Sequence, residues 1–353
     1  MFPSSQAIPL AKTTSGHIPI VIKVGTCIPR SQIFRFENFW LKHPQFKEVV
    51  KNNWEQEVHE TDSAKCIAAK FKRLRKVLKI WSKTISNLKD TIKNIIFMIL
   101  FYDVIEEYRD LSMEEYNGRR ILIDHFSLIN ELQRIYWKRR ATIRNIKMGE
   151  ANTKYFQAKA TIKNRFNHIA MLKDEEDHEH ADHHAKAAIL FRAFKKRLGS
   201  VSKTENPLLL QSLLLQHDDL SDLETPFTNK EIDDVIMKIP TNKAPGPDGF
   251  NAAFLKDCWD ILAPDFYRLI EDFHLGIVNL QSINYSFMTL IPKKDDAAQP
   301  NDFRPISLLN TTLKILTKLL ANRVQKKILK LIHPNQYGFI FNKCIQDCLA
   351  WSF

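Results

Sequence analysis

The side chains best suited to chemistry in this chain are clustered cations. An apolar, strand-like run, "SFMTLIPK", delivers Lys293 and Lys294 into the polar loop "KDDAAQPND", and Arg304 returns just before a proline. A lysine point charge and an arginine fork at the two ends of a strand–loop–strand can clamp a polyphosphate. A second concentration runs from Arg134 to Arg165, where ten cations face the single acid Glu150. Tyr136, Trp137, Tyr155 and Phe156 lie among them. Cations neutralise phosphates while aromatic faces stack on unpaired bases. The same pattern also suits a solvated helix face with its aromatics in the core. The contact candidates here are Lys138, Arg139, Arg140, Arg144, Lys147 and Lys154.

Two other groupings carry less. Two-metal phosphoryl transfer needs carboxylates that hold ions about 4 Å apart, usually on a strand and the adjoining turn. The pairs Asp218-Asp219, Asp233-Asp234 and Asp295-Asp296 fall in a polar linker, a first helical turn and a loop. They are read as structural or solvent-facing, and no catalytic residue is assigned. "DHEHADHH" places His180 and His184 four apart, but no further ligand stands at a familiar spacing. A solvated surface tract is expected, and no metal site.

These residues need elements to hold them. Residues 18–24, "IPIVIKV", read as a short strand. From about 34 to 200 the chain is helical, charged and almost free of Pro and Gly. Within "AKCIAAKFKRLRKVLKIWSKTISNLKDTI" apolar residues from Ile67 to Leu88 recur at steps of three and four, with Lys and Arg filling the other face. The run "IIFMILF" (95–101) is too short to span a bilayer and is expected to be a buried helix segment. A helix over roughly 112–147 takes Ser112 as its N-cap. "SVSKTENPLLL" (200–210) resembles a linker. After it come helices near 229–239 and 251–275, the strand of 286–293 and a long helix across 311–332. Between the first two helices lies "NKAPGPDGF" (242–250), which spends two of the chain's nine glycines beside two prolines. Its local chemistry is that of a rigid turn.

The 353 residues carry a net charge of +12, which favours a polyanionic partner. The five cysteines are scattered, with no Cys-x-x-Cys pair, and are read as reduced thiols in an intracellular setting, nuclear or cytoplasmic. The N-terminus lacks the layout of a secretory signal, and no membrane partner is expected.

"NKAPGPDGF", "TLIPKKDDAAQPNDFRPISLLNTTLKILTKLLANRV" and "HPNQYGFIFNKCIQD", in this order and spacing, resemble the reverse transcriptase of LINE-type (non-LTR) retrotransposons, especially those of plants. "IFRFENFWLKHPQF" and the stretch 136–172 are similar to the segment between endonuclease and polymerase in such polyproteins. "SGHIPIVI" (15–22) resembles the closing strand of their endonuclease. His17 falls on the family's catalytic histidine, but Gly16 falls on its partner aspartate. A degenerate remnant without nuclease activity is therefore implied.

The resemblance implies a mainly α fold with short β elements (α+β). An endonuclease remnant would occupy 1–30, a helical basic linker 31–205, and incomplete reverse transcriptase fingers and early palm 206–353. Lys293 and Arg304 match positions that bind the incoming nucleotide's triphosphate. The family's catalytic aspartates lie in motifs beyond Phe353, so binding of RNA template and DNA primer is expected without catalysis by this chain alone. A palm region supplied in trans is the further partner the resemblance points to. No cofactor is expected in this chain, magnesium being needed only by a complete polymerase. The alternatives are a non-enzymatic nucleic-acid-binding or scaffold protein and a repeat relic without function.

Overall fold

The computed structural model describes residues 6–9, 20–23, 33–85, 87–141, 153–199, 220–294, 296–332 and individual residues of 335–346. They fall into two compact units, Met1–Phe34 and Arg35–Phe353. In the first, β1 (Gln6–Pro9) pairs antiparallel with β2 (Ile20–Lys23), Gln6 standing opposite Lys23. The strand expected over 18–24 thus forms in its centre, where β-branched residues favour extended backbone. His17 and Gly16 lie outside the described residues.

The second unit is mainly helical. A short 3-10 turn (Asn38–Lys42) leads to α1 (Phe46–Trp54) and α2 (Ser63–Ile85). Ile67, Phe71, Leu74 and Leu78 of α2 are buried, as the spacing predicts. They meet an aromatic core drawn from distant parts of the sequence. Phe36, Phe46, Trp54, Phe71, Phe250, Phe254 and Phe266 are all nearly inaccessible. Ring centroids lie 5.0 Å apart for Trp54–Phe71, 4.9 Å for Phe71–Phe250 and 4.5 Å for Phe250–Phe254. Each such ring removes about 150–250 Å2 from water, roughly 4–6 kcal/mol as an upper bound. The helical linker and the C-terminal part therefore share one core. The boundary expected near 205 falls outside the described residues.

Two helical expectations in the first half of this unit need correction. The periodic run through Leu88 is not one helix, because α2 ends at Ile85 and α3 (Leu88–Tyr108) starts after Asn87, whose backbone leaves the helical region. The apolar run 95–101 is not buried. Ile95 is covered, but Phe97, Leu100 and Phe101 are more than half exposed. The reason is that α3 packs chiefly against α4 (Met113–Ala141) in a two-helix hairpin. One partner covers one stripe of a helix, whatever its composition. The start of α4 is as expected: the Ser112 hydroxyl accepts from the Glu115 N–H at 3.2 Å, and Glu115 returns the bond to the Ser112 N–H at 2.9 Å.

Next come α5 (Thr153–Phe166), the two-residue strands β3 (Leu172–Lys173) and β4 (Glu179–His180), and α6 (His183–Leu198). The histidine tract makes this turn. His180 pairs with Asp174 at 2.8 Å, and Asp182 caps α6 by accepting from the Ala185 N–H. Beyond the undescribed stretch, α7 (Asn229–Lys238) opens with a Thr228–Glu231 capping box. The helix expected over 251–275 is two, α8 (Ala252–Asp257) and α9 (Trp259–His274), parted at Cys258. β5 (Ser286–Pro292) and β6 (Phe303–Leu309) form an antiparallel ribbon, and α10 (Thr311–Leu331) follows.

Candidate nucleic-acid and phosphate interface

The "NKAPGPDGF" loop is the joint that holds the ribbon to the helices. Gly246 lies against the end of β6 so closely that a Cβ there would sit 2.1 Å from the Leu309 carbonyl oxygen and 2.8 Å from the Asn310 nitrogen. Gly249 takes φ +82°, a conformation that favours glycine. Between them Asp248 is buried. Its carboxylate accepts the N–H of Phe250 at 3.1 Å and that of Thr311, the first residue of α10. Asn310 accepts from the Asp248 N–H at 3.0 Å and donates to the Ile283 carbonyl at 2.9 Å. A carboxylate at a helix N-terminus meets orphan N–H groups and the positive end of the dipole. Burial nevertheless pushes the Asp248 carboxyl above its ordinary range, opposed by those hydrogen bonds. On the other side the Phe36 N–H donates to the Gly249 carbonyl at 2.8 Å, and Arg75 donates to that of Pro247 at 3.2 Å.

The ribbon itself is exposed along most of both strands. Its register sets Ile291 opposite Arg304 and Pro292 opposite Phe303. Lys293 continues the ladder, its N–H donating to the Asp302 carbonyl at 2.8 Å. Side chains two apart share a face, so Lys293, Ile291 and Arg304 stand on one side of the ribbon. Lys293 and Arg304 are diagonal neighbours there, about 7–8 Å apart at the backbone. The Lys293 amine rests on the Asn301 carbonyl at 2.6 Å. Arg304 is exposed and makes no hydrogen bond or ion pair among the described residues. The nearby Asp302 is already engaged. It accepts the N–H groups of Gln299 at 3.0 Å and Ala298 at 3.1 Å and pairs with Lys294 at 3.1 Å, and these contacts hold its carboxyl below the usual range.

The basic stretch divides. Arg139 donates to the Phe36 carbonyl at 2.5 Å and to Asn38 at 3.2 Å, and Asn38 also accepts from Asn251 at 2.8 Å. Burial draws its guanidinium pKa down. Arg140 makes a bidentate pair with Glu37 at 2.6 and 3.1 Å, and its guanidinium lies 3.4 Å from the centre of the Tyr136 ring. Both side chains tie the end of α4 to the irregular segment entering the 3-10 turn. Lys138 is half-buried and makes no side-chain pairing among the described residues. Arg144 and Lys147 lie outside the described residues, as does the side chain of Lys154. Of the aromatics, Phe156 is buried while Tyr155 is partly exposed. Asp233 accepts from Trp259 at 2.7 Å and Tyr267 at 2.6 Å, so it is structural. Among the described residues no three His, Cys, Asp or Glu gather as an ion would require.

Sequence reasoning missed the Asp248–Thr311 bond and the cleft of about 310 Å3 beside it. The cleft is lined by Lys65, Lys72, Arg75, Asp248 and Tyr285 among others. Nothing local marks either feature, since the bond joins residues 63 apart and the cleft is lined from four separate stretches of the sequence.

No protein-family model matches the chain. Over 126 residues, 35% of its length, it is 39% identical to the Transposon TX1 uncharacterized 149 kDa protein of Xenopus laevis. Over 124 residues it is 25% identical to the Retrovirus-related Pol polyprotein from type-1 retrotransposable element R1 of Bradysia coprophila. A Putative 115 kDa protein in type-1 retrotransposable element R1DM of Drosophila melanogaster is 29% identical over 126 residues. The chain covers about a tenth of the length of these relatives. These matches relate the chain to proteins of non-LTR, LINE-type retrotransposable elements.

Proposed function

We propose that this chain is the nucleotide- and template-handling part of a non-LTR retrotransposon's RNA-directed DNA polymerase, with residues 206–353 as fingers. One observation carries the reading. The β5–β6 ribbon sets Lys293 and Arg304 on one face as diagonal neighbours, while the nearby acid Asp302 is paired with Lys294. A lysine and an arginine so placed offer a point charge and a fork to adjacent phosphates of a nucleoside triphosphate. The kinship with a Pol polyprotein supports the polymerase context. RNA template and DNA primer are the macromolecular partners, and the net charge of +12 suits both. Residues on the chain bind and orient; no chemical step is assigned to them. The test is equilibrium binding of a fluorescent deoxynucleoside triphosphate. A hydrogen bond to a charged group contributes about 1.5–3 kcal/mol, so K293A and R304A should each weaken binding tenfold or more. Unchanged affinity in both variants would refute the assignment.

A further inference from the structure

The α2 helix carries eight cations and no carboxylate over Ser63–Ile85. Three are accounted for by the fold. Lys70 pairs with Asp265 at 2.7 Å, Arg73 donates to the carbonyls of Asn53, Gln56 and Glu57, and Arg75 to that of Pro247. The remaining five are Lys65, Lys72, Lys76, Lys79 and Lys83. Their steps of seven, four, three and four residues keep them within about 60° of one another around the helix. They lie opposite buried Ile67, Phe71, Leu74 and Leu78 and form an exposed stripe roughly 27 Å long. None of the five side chains makes a hydrogen bond or an ion pair among the described residues.

Lys72–Lys76, Lys76–Lys79 and Lys79–Lys83 are like-charge neighbours at helical spacing, each destabilising by about 0.2–0.5 kcal/mol with no acid to offset it. The charges that would balance this stripe are not on the helix. Its N-terminal end runs into the cleft that Lys65 and Lys72 line together. The acids lining that cleft are Glu60 and the buried Asp248. Among the described residues of α2 no aromatic face stands open between these lysines, and the half-exposed Tyr285 meets them only in the cleft at the N-terminal end. Phe71 is buried, and Trp81 meets Trp40 and His43 edge to face at 6.1 and 5.3 Å. Straight cationic ridges without stacking platforms suit the regular phosphate backbone of a duplex rather than a single strand.

We propose that the Lys65–Lys83 stripe is a second nucleic-acid surface, one that binds the phosphate backbone of a double helix. Its choice of nucleic acid over other polyanions rests on the polymerase reading above. The test uses the full chain and the variant K72Q/K76Q/K79Q/K83Q, which keeps good helix formers at exposed positions. Fluorescence anisotropy follows a labelled RNA–DNA hybrid and a labelled single-stranded RNA from 50 to 200 mM KCl. The parent should bind the hybrid with a log–log salt slope steeper by about 3–4 than the variant's, near 0.9 per phosphate contact. Across that salt range the parent should therefore lose roughly a hundredfold more affinity than the variant. Triphosphate binding through Lys293 and Arg304 should be unaffected, so failure of that site and of this stripe are told apart. The thermal midpoint should hold or rise as repulsion is removed. Unchanged hybrid affinity and slope would overturn the proposal. So would a larger loss for single-stranded RNA than for the hybrid, or lost binding to phosphatidylserine vesicles with hybrid binding intact.

Discussion

Replacing Gly246 by alanine probes the joint on which the ribbon depends. The added methyl would lie 2.1 Å from the Leu309 carbonyl oxygen and 2.5 Å from its carbon, an overlap of more than 1 Å with backbone. Backbone cannot rotate aside as a side chain can, so the end of β6 and the start of α10 must shift together. That breaks or lengthens the Asp248 bond to Thr311 and the Thr311 hydroxyl bond to the Phe250 carbonyl, now 2.9 Å. Overpacking costs typically 1–3 kcal/mol, and a backbone clash with coupled buried hydrogen bonds belongs at or above the top of that range, about 3 kcal/mol. For a unit of this size the thermal midpoint should fall by about 4–5 °C. Gly199 supplies the control. Its φ is +71° but nothing lies within 4 Å of a Cβ there, so G199A carries only the backbone term, about 1 kcal/mol. Thermal unfolding followed by circular dichroism measures both. A midpoint for G246A within 2 °C of the parent, or a smaller drop than G199A, would refute the close-approach argument.

Two further outcomes follow from buried charge. Arg323 is almost fully buried, pairs with Glu231 at 2.8 Å, and lies 3.8 Å from the centre of the Phe227 ring. Its hydrogen bonds hold the Glu231 carboxyl down at about 2, below its ordinary 4.5. A depressed carboxylate contributes stability that is complete above pH 4.5 and is lost as pH falls toward 2. E231Q should therefore cost about 2 kcal/mol at pH 7, under the 3–5 of a fully buried pair because a third of the Glu231 side chain is exposed. The gap from the parent should narrow as pH falls from about 4.5 toward 2 in urea titrations. At the other end of the unit, R140E should destabilise by about 1–3 kcal/mol through the lost Glu37 pair, and the swap E37R/R140E should recover most of it. If R140E leaves the urea midpoint unchanged while RNA affinity falls, Arg140 serves the ligand and not the fold.

Much of the helical architecture was legible along the chain, because amphipathic spacing and caps act over a few residues. The buried stripe of α2, the Ser112 cap, the helix near 229–239 and the strand near 286–293 follow from neighbours alone. So does the pairing of Lys293 with Arg304 as ends of one strand–loop–strand, and with it the candidate phosphate clamp. The kinship with LINE-type elements was likewise carried by linear motifs.

The rest was decided by which surfaces met. Ile95 is covered and Phe97 is not, because a hairpin gives each helix a single partner. Arg139 and Arg140 look like free cations in the sequence, yet they fasten α4 to Phe36 and Glu37 across more than a hundred residues. The lysines of α2 look like ordinary solvated charge, and only the fold shows which five side chains make no hydrogen bond or ion pair among the described residues. "NKAPGPDGF" is recognisable as a turn from its prolines and glycines. That Gly246 must be bare, and that Asp248 caps a helix 63 residues onward, depends on Leu309 and Thr311 arriving there. Local sequence sets backbone preference, whereas charge pairing and close approach belong to partners brought together by burying a shared core.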